Sequence, residues 1–235
     1  MRLRLPAQLN RRVVRRQPHR LPARIALVAA KALLGFYLGC AVLLIAYRWI
    51  NPPLTSVQLQ RCLGSAFSGF SLCGRPHFVR LEEMAAALPR AVIAAEDARF
   101  YQHHGIDWKA LGDAIEDNRR GRRIRGGSTI TQQLVKNLFL TTHSVWLRKA
   151  IETPLALLAD RILPKRRILE LYLNVIEWGP GIYGAEQAAR FHYARSSRDL
   201  TRVQAARLAA VLPSPQRRRP ERMQRYSDLI LRRMK

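Results

Sequence analysis

The chain has 235 residues, a net charge of +25 and three cysteines. That length allows one good-sized domain plus an appendage. The charge points toward nucleic acid, anionic lipid or a phosphorylated substrate without choosing among them. Cys40, Cys62 and Cys73 form no Cys-x-x-Cys pair and His103 and His104 are adjacent, which excludes the usual zinc spacings.

The first predicted element is an apolar helix. Ile25 to Tyr47 is a run of 23 residues with a single charge, Lys31. As a helix it spans about 34 Å at about 1.5 Å per residue, enough to cross a hydrocarbon core of about 30 Å. Lys31 can snorkel from one end, and Tyr47 and Trp49 supply interfacial aromatics. Before this run stand eight arginines and no acidic residue. The positive-inside rule therefore puts residues 1–24 in the cytoplasm as a basic tail and the rest of the chain outside it. A cleavable signal peptide is the competing reading, but the run is long for a signal core and no small-x-small site follows.

Asn51-Pro52-Pro53 ends the helix. Residues 48–79 read as a membrane-proximal linker without clear periodicity. Within it, Cys62 and Cys73 either pair in an oxidising compartment or stay free thiols. From residue 80 to 220 the pattern is helical: a short piece over Leu81–Leu88, a helix after Pro89, then Trp108–Asn118, Thr129–Leu140, Trp146–Ile162, Lys165–Val175, Tyr183–Phe191 and Thr201–Leu212. Pro154 is expected to kink its helix, and strand signals are nearly absent. The expected fold is mainly α, with a domain large enough for a real core. Residues 221–235 form a basic C-terminal tail able to make a surface helix.

The chemistry-bearing residues lie in three stretches. Gly126 to Asn137 opens with two glycines able to let a ligand approach closely. Hydroxyls and amides follow, and then Lys136. This suits a hydroxyl-rich, anionic ligand. Glu96 lies upstream among apolar residues, where burial raises a carboxyl pKa and poises it for acid/base work. Taken alone, Glu96 reads more readily as half of a structural ion pair, because such pairs are common. Arg148 and Glu152 are spaced i, i+4 and can pair across one turn. The Gly-Gly-Ser-Thr run lacks the Gly-Lys-Ser/Thr ending of a nucleotide P-loop.

Together, AVIAAEDARFYQHHGID (91–107), RGGSTITQQLVKN (125–137), RKAIE (148–152), KRRILELYLNVIEWGPGIYGAE (165–186) and LAAVLPSP (208–215) closely resemble the bacterial peptidoglycan glycosyltransferases, with their lysozyme-like fold. The resemblance covers about Glu82 to Pro220. No Ser-x-x-Lys is present, so the chain is most similar to the monofunctional biosynthetic transglycosylases.

The resemblance implies an inverting polymerisation of lipid II into β-1,4-linked glycan, with polyprenyl diphosphate as the leaving group. It makes Glu96 the base for the acceptor hydroxyl and Glu152 a second carboxylate near the diphosphate. Lys136, Arg148 and Lys149 become the diphosphate cations. Ser128, Thr129, Gln132, Gln133 and Asn137 become contacts to sugar or phosphate oxygens. Asp97 and Phe100 line the same cleft, Phe100 shaping it together with the His103-His104-Gly105 turn. No cofactor is expected to be required, with a divalent cation (Mg or Mn) near Glu152 left open. The expected partners are lipid II, the growing strand, membrane lipid and cell-wall assembly proteins, not nucleic acid. The expected location is the cytoplasmic (inner) membrane, single-pass, with the domain periplasmic. A lysozyme-like lytic enzyme, a catalytically weak scaffold and a membrane-tethered nucleic-acid binder are the rivals. Two positions depart from the family pattern: Ser144 stands where an Arg is usual, and His192-Tyr193-Ala194 replaces Tyr-Phe-Gly.

Overall fold

The computed structural model describes residues 20–65, 77–121, 127–141 and 146–234. The tail before residue 20, Cys73, Gly126 and the His143-Ser144 pair lie outside the described residues. Helix α1, Arg20–Ala46, comes first. Its segment Arg24–Ala46 has a mean hydropathy of 2.1, and side chains such as Leu34 and Val42 are exposed along it. A long helix that is apolar and exposed over most of its length fits a single-pass membrane anchor. The chain divides after Leu38, and the candidate site lies wholly in the second unit, Gly39–Lys235.

That unit is helical. Its elements are α2 (Ser56–Ser65), α3 (Ala87–Glu96), α4 (Trp108–Arg119), α5 (Ile130–Phe139), α6 (Trp146–Ile162), α7 (Lys165–Val175), α8 (Ala185–Tyr193), α9 (Arg202–Ala209) and α10 (Gln224–Arg233), with a two-stranded hairpin, β1 (Glu177–Gly179) and β2 (Ile182–Tyr183). Helix α5 is the hub and packs against α2, α6 and α7, while α3 packs against α9 and α10. The hub position follows from its pattern. Ile130, Leu134 and Val135 are fully buried on α5, and Ile168, Leu171 and Tyr172 face the same core from α7. The basic C-terminal segment is folded onto the domain, with Ile230 of α10 fully buried.

Three local differences from the sequence reading have physical causes. Pro89 lies inside the first turn of α3 and not before it, where a missing N–H costs no helical hydrogen bond. The linker contains α2, which is held by tertiary contacts. The Ser56 hydroxyl donates to the carbonyls of Asn137 and Leu140 at 3.1 and 2.5 Å, and the Gln60 amide donates to Leu140 O at 3.0 Å, capping the C-terminus of α5. The hairpin turns through Pro180-Gly181, with Gly181 at φ 73°. Helix α6 runs unbroken through Pro154, and Cys62 is disulfide-bonded whereas Cys40 is free.

Ala194 ends α8 in the left-handed region, φ 51° and ψ 35°. Among the described residues it is the only non-glycine with positive φ, and it stands where the resembling family has glycine. Ala194→Gly is therefore expected to stabilise the domain by about 0.5–1 kcal/mol, the relief of Cβ strain less the entropy of glycine. A thermal melt of the two proteins measures it.

Candidate active site

Helix α3 ends at Glu96, so the side chain projects from a helix terminus and is half-buried. Its Oε2 accepts a hydrogen bond from Gln133 Nε2 at 2.7 Å. Burial raises the Glu96 pKa, while the Gln133 bond and the charges of Lys136 and Arg218 pull it back. An upward shift of this kind is the direction that suits a carboxylate to acid/base work.

Helix α5 begins at a capping box. The Thr129 hydroxyl accepts from Gln132 N at 3.1 Å and Gln132 Oε1 accepts from Thr129 N at 3.0 Å. The Thr129 hydroxyl also donates to Gly105 O at 2.6 Å, and Asp97 accepts from Ile130 N at 3.0 Å. The turn carrying Glu96 is thereby bolted to the N-terminus of α5. Gly105 is required there: its φ is 77°, and an added Cβ would lie 2.6 Å from the Ala156 carbonyl oxygen.

From that fixed start α5 presents Gln133, Lys136 and Asn137. Lys136 is half-buried, and its pKa is lowered by burial against the opposing attraction of Glu152. Arg148 and Lys149 also bear on it as like charges, and Glu96 as an opposite one. On α6, Glu152 is buried and pairs with both neighbouring cations. Its Oε2 accepts from Arg148 Nη1 at 2.5 Å and its Oε1 accepts from Lys149 Nζ. Lys149 Nζ also donates to Ser128 Oγ at 3.0 Å. The structure thus brings Glu96, Gln133, Lys136, Arg148, Lys149, Glu152 and Ser128 into one continuous polar cluster.

Other expected contacts face inward instead. Thr129 and Gln132 are buried in the capping box, and Phe100 is fully buried. Asp97 is taken by Ile130 N and by His103 Nε2 at 2.9 Å, and Asn137 Nδ2 donates to Gln133 O at 2.8 Å. Thr129, Gln132, Asp97 and Asn137 thus each commit at least one side-chain atom to a bond within the protein. Gly127 is not sterically forced, since an added Cβ would meet Leu111 only at 3.6 Å.

Among the described residues Asp97, His103 and Asp107 bring ligand atoms within 4.8 Å of one another. Arg99 grips both oxygens of Asp107 at 2.8 and 2.7 Å, and Asp97 is braced as above. Both oxygens of Glu152 face cations.

Three neighbours of Glu96 escaped the sequence reading. The Tyr172 hydroxyl on α7 donates to Gln133 Oε1 at 2.9 Å. The Tyr226 hydroxyl on α10 donates to Ala95 O at 3.4 Å, and the Arg218 guanidinium lies 5.5 Å over the Tyr226 ring. Each is remote in sequence from Glu96, and no local spacing reports such contacts.

The family model described as transglycosylase matches residues 71–235. The biosynthetic peptidoglycan transglycosylase of Pseudomonas aeruginosa is 45% identical over 185 residues, which cover 79% of this chain and 80% of that protein. The protein of the same name from Rhodospirillum centenum is 44% identical over 88% of this chain and 86% of its own length. That from Pasteurella multocida is 44% identical over 73% of this chain and 70% of its own. With a mainly helical, lysozyme-like domain and this identity over most of its length, the chain belongs to the transglycosylase family.

Proposed function

We propose that this protein is a peptidoglycan glycosyltransferase that polymerises lipid II into β-1,4-linked glycan strands, with inversion and release of polyprenyl diphosphate. One observation carries the reading: a half-buried Glu96, oriented by Gln133, shares one cluster with Lys136, Arg148 and Lys149. Glu96 removes the proton from the acceptor 4-hydroxyl as that oxygen bonds to C1 of the growing strand. The C1–oxygen bond to the diphosphate breaks on the opposite face. An α-linked donor then gives a β-linked product.

Negative charge grows on the departing diphosphate, where fixed cations act most strongly. Arg148 offers a planar fork and Lys136 and Lys149 point charges. Glu152 is the positioning residue of this group, because each of its oxygens holds one cation in place. Charge placement supports a topology with the arginine-rich N-terminus in the cytoplasm and the domain on the outer face of the cytoplasmic membrane. There the net charge of +25 also favours anionic lipid.

The test offers the full-length protein two substrates. Lipid II should give a ladder of glycan products that a muramidase digests, and finished glycan strands should remain uncut. Cleavage of finished strands without polymerisation would make the enzyme lytic. Inertness toward both would make it a scaffold.

A further inference from the structure

Tyr172 sits in the middle of α7, fully buried, and its hydroxyl donates to the Gln133 side chain. That contact decides which way the Gln133 amide points. A carboxylate only accepts hydrogen bonds, so an ionised Glu96 needs the amide NH2 facing it. The amide oxygen must then point the other way, and the Tyr172 O–H is the donor waiting there at 2.9 Å. A flipped amide would set its oxygen against the Glu96 carboxylate and its NH2 against the Tyr172 hydroxyl, losing the favourable contact to the charge.

We propose that Tyr172 is a positioning residue of the reaction, acting through Gln133 to lock Glu96 in its ionised, correctly aimed form. This rests on the reading of Glu96 as the base. The relay occupies Glu96 Oε2 and leaves Oε1 to meet the acceptor hydroxyl. Tyr172 is suited to the task over the whole working range. Burial, and then the nearby charges of Glu96 and Asp97, push its hydroxyl well above its ordinary pKa, so it stays a donor. The Gln133 bond in turn works against the burial that raises Glu96.

The other charged and titratable groups bearing on Glu96 are Lys136 from α5, Arg218 and Tyr226 from the C-terminal segment, and Asp97 beside it. Tyr172→Phe leaves all of these in place. It removes one hydroxyl and keeps the ring.

Lipid II polymerisation by the full-length protein is measured across pH for the parent, Tyr172→Phe, Gln133→Leu and the double variant, with thermal melts alongside. Rate depends on ionised Glu96 and falls as pH drops through its pKa, so losing the relay moves this acidic limb to higher pH. We expect Tyr172→Phe to move it up by on the order of one pH unit, about a tenfold loss on the acid side. Activity should return toward the parent's above the shifted limb, and KM for lipid II should hold. Gln133→Leu should move the limb at least as far, and the double variant no further than Gln133→Leu alone. A pH-independent fall in Tyr172→Phe, an unmoved limb, or additive effects in the double variant would overturn the proposal. Should Tyr172→Phe lose its fold, an unmoved limb in Gln133→Leu would overturn it equally. Glu96→Gln in the same assay separates the two levels: if it remains active the base assignment itself falls, whereas if it is dead and the limbs stay put, only the relay does.

Discussion

Glu96→Gln should reduce lipid II polymerisation by about 10²–10⁴-fold, the range that a positioned general base supplies. The substitution is nearly isosteric. Its amide oxygen can keep the hydrogen bond from Gln133 Nε2 that Glu96 Oε2 accepts at 2.7 Å, so geometry is held while proton affinity is lost. The fold should not suffer. Burial disfavours the Glu96 charge, and replacing a partly buried carboxylate by a neutral amide relieves desolvation. A melting temperature at or above that of the parent, together with absent product in a gel assay, is the expected pair of results. Product near the parent level would sink the assignment of Glu96.

How far the site was legible depends on whether its contacts are local. The Arg148–Glu152 pair is spaced i, i+4 and Lys149–Glu152 i, i+3, so helical periodicity alone places them together. The capping box at Thr129-x-x-Gln132 could be read the same way, and the expected helix exceeds the observed one by a single cap residue at each end. The box at Thr55–Gln58, which starts α2 with bonds of 2.9 and 3.2 Å, carried the same signal but was masked by a stretch lacking periodicity. The hairpin was invisible because strands of three and two residues are too short to show alternation. The relay from Tyr172 through Gln133 was beyond reach for another reason. Its two residues are 39 positions apart, and its meaning lies in the direction of an amide, which a sequence does not encode locally. Thr129 and Gln132 carry a different lesson: their motif positions suggest substrate contact, and their side chains bond within the protein, since holding a cleft demands as much specificity as touching its contents.

Lys136→Met separates the two things this lysine does. As a half-buried cation it is costly to the fold: burial lowers its pKa, only partly offset by Glu152 and Glu96, and Arg148 and Lys149 repel it. Methionine matches its length and has no charge to desolvate, so stability should hold or rise. Activity should move the other way. A fixed donor aimed at charge that develops only in the transition state is worth about 10²–10³ in kcat, with a smaller change in KM. The wild-type rate should also fall at high pH. The cation is present below the Lys136 pKa and lost as pH rises through it, and the lowered pKa brings that loss closer to neutrality. Lys136→Arg should keep the charge and push this basic limb upward, because a guanidinium does not deprotonate in the accessible range. Steady-state kinetics on lipid II across pH, with melts of all three proteins, decide the matter. Retained kcat in Lys136→Met would leave Arg148 and Lys149, both held by Glu152, as the cations that carry the departing diphosphate.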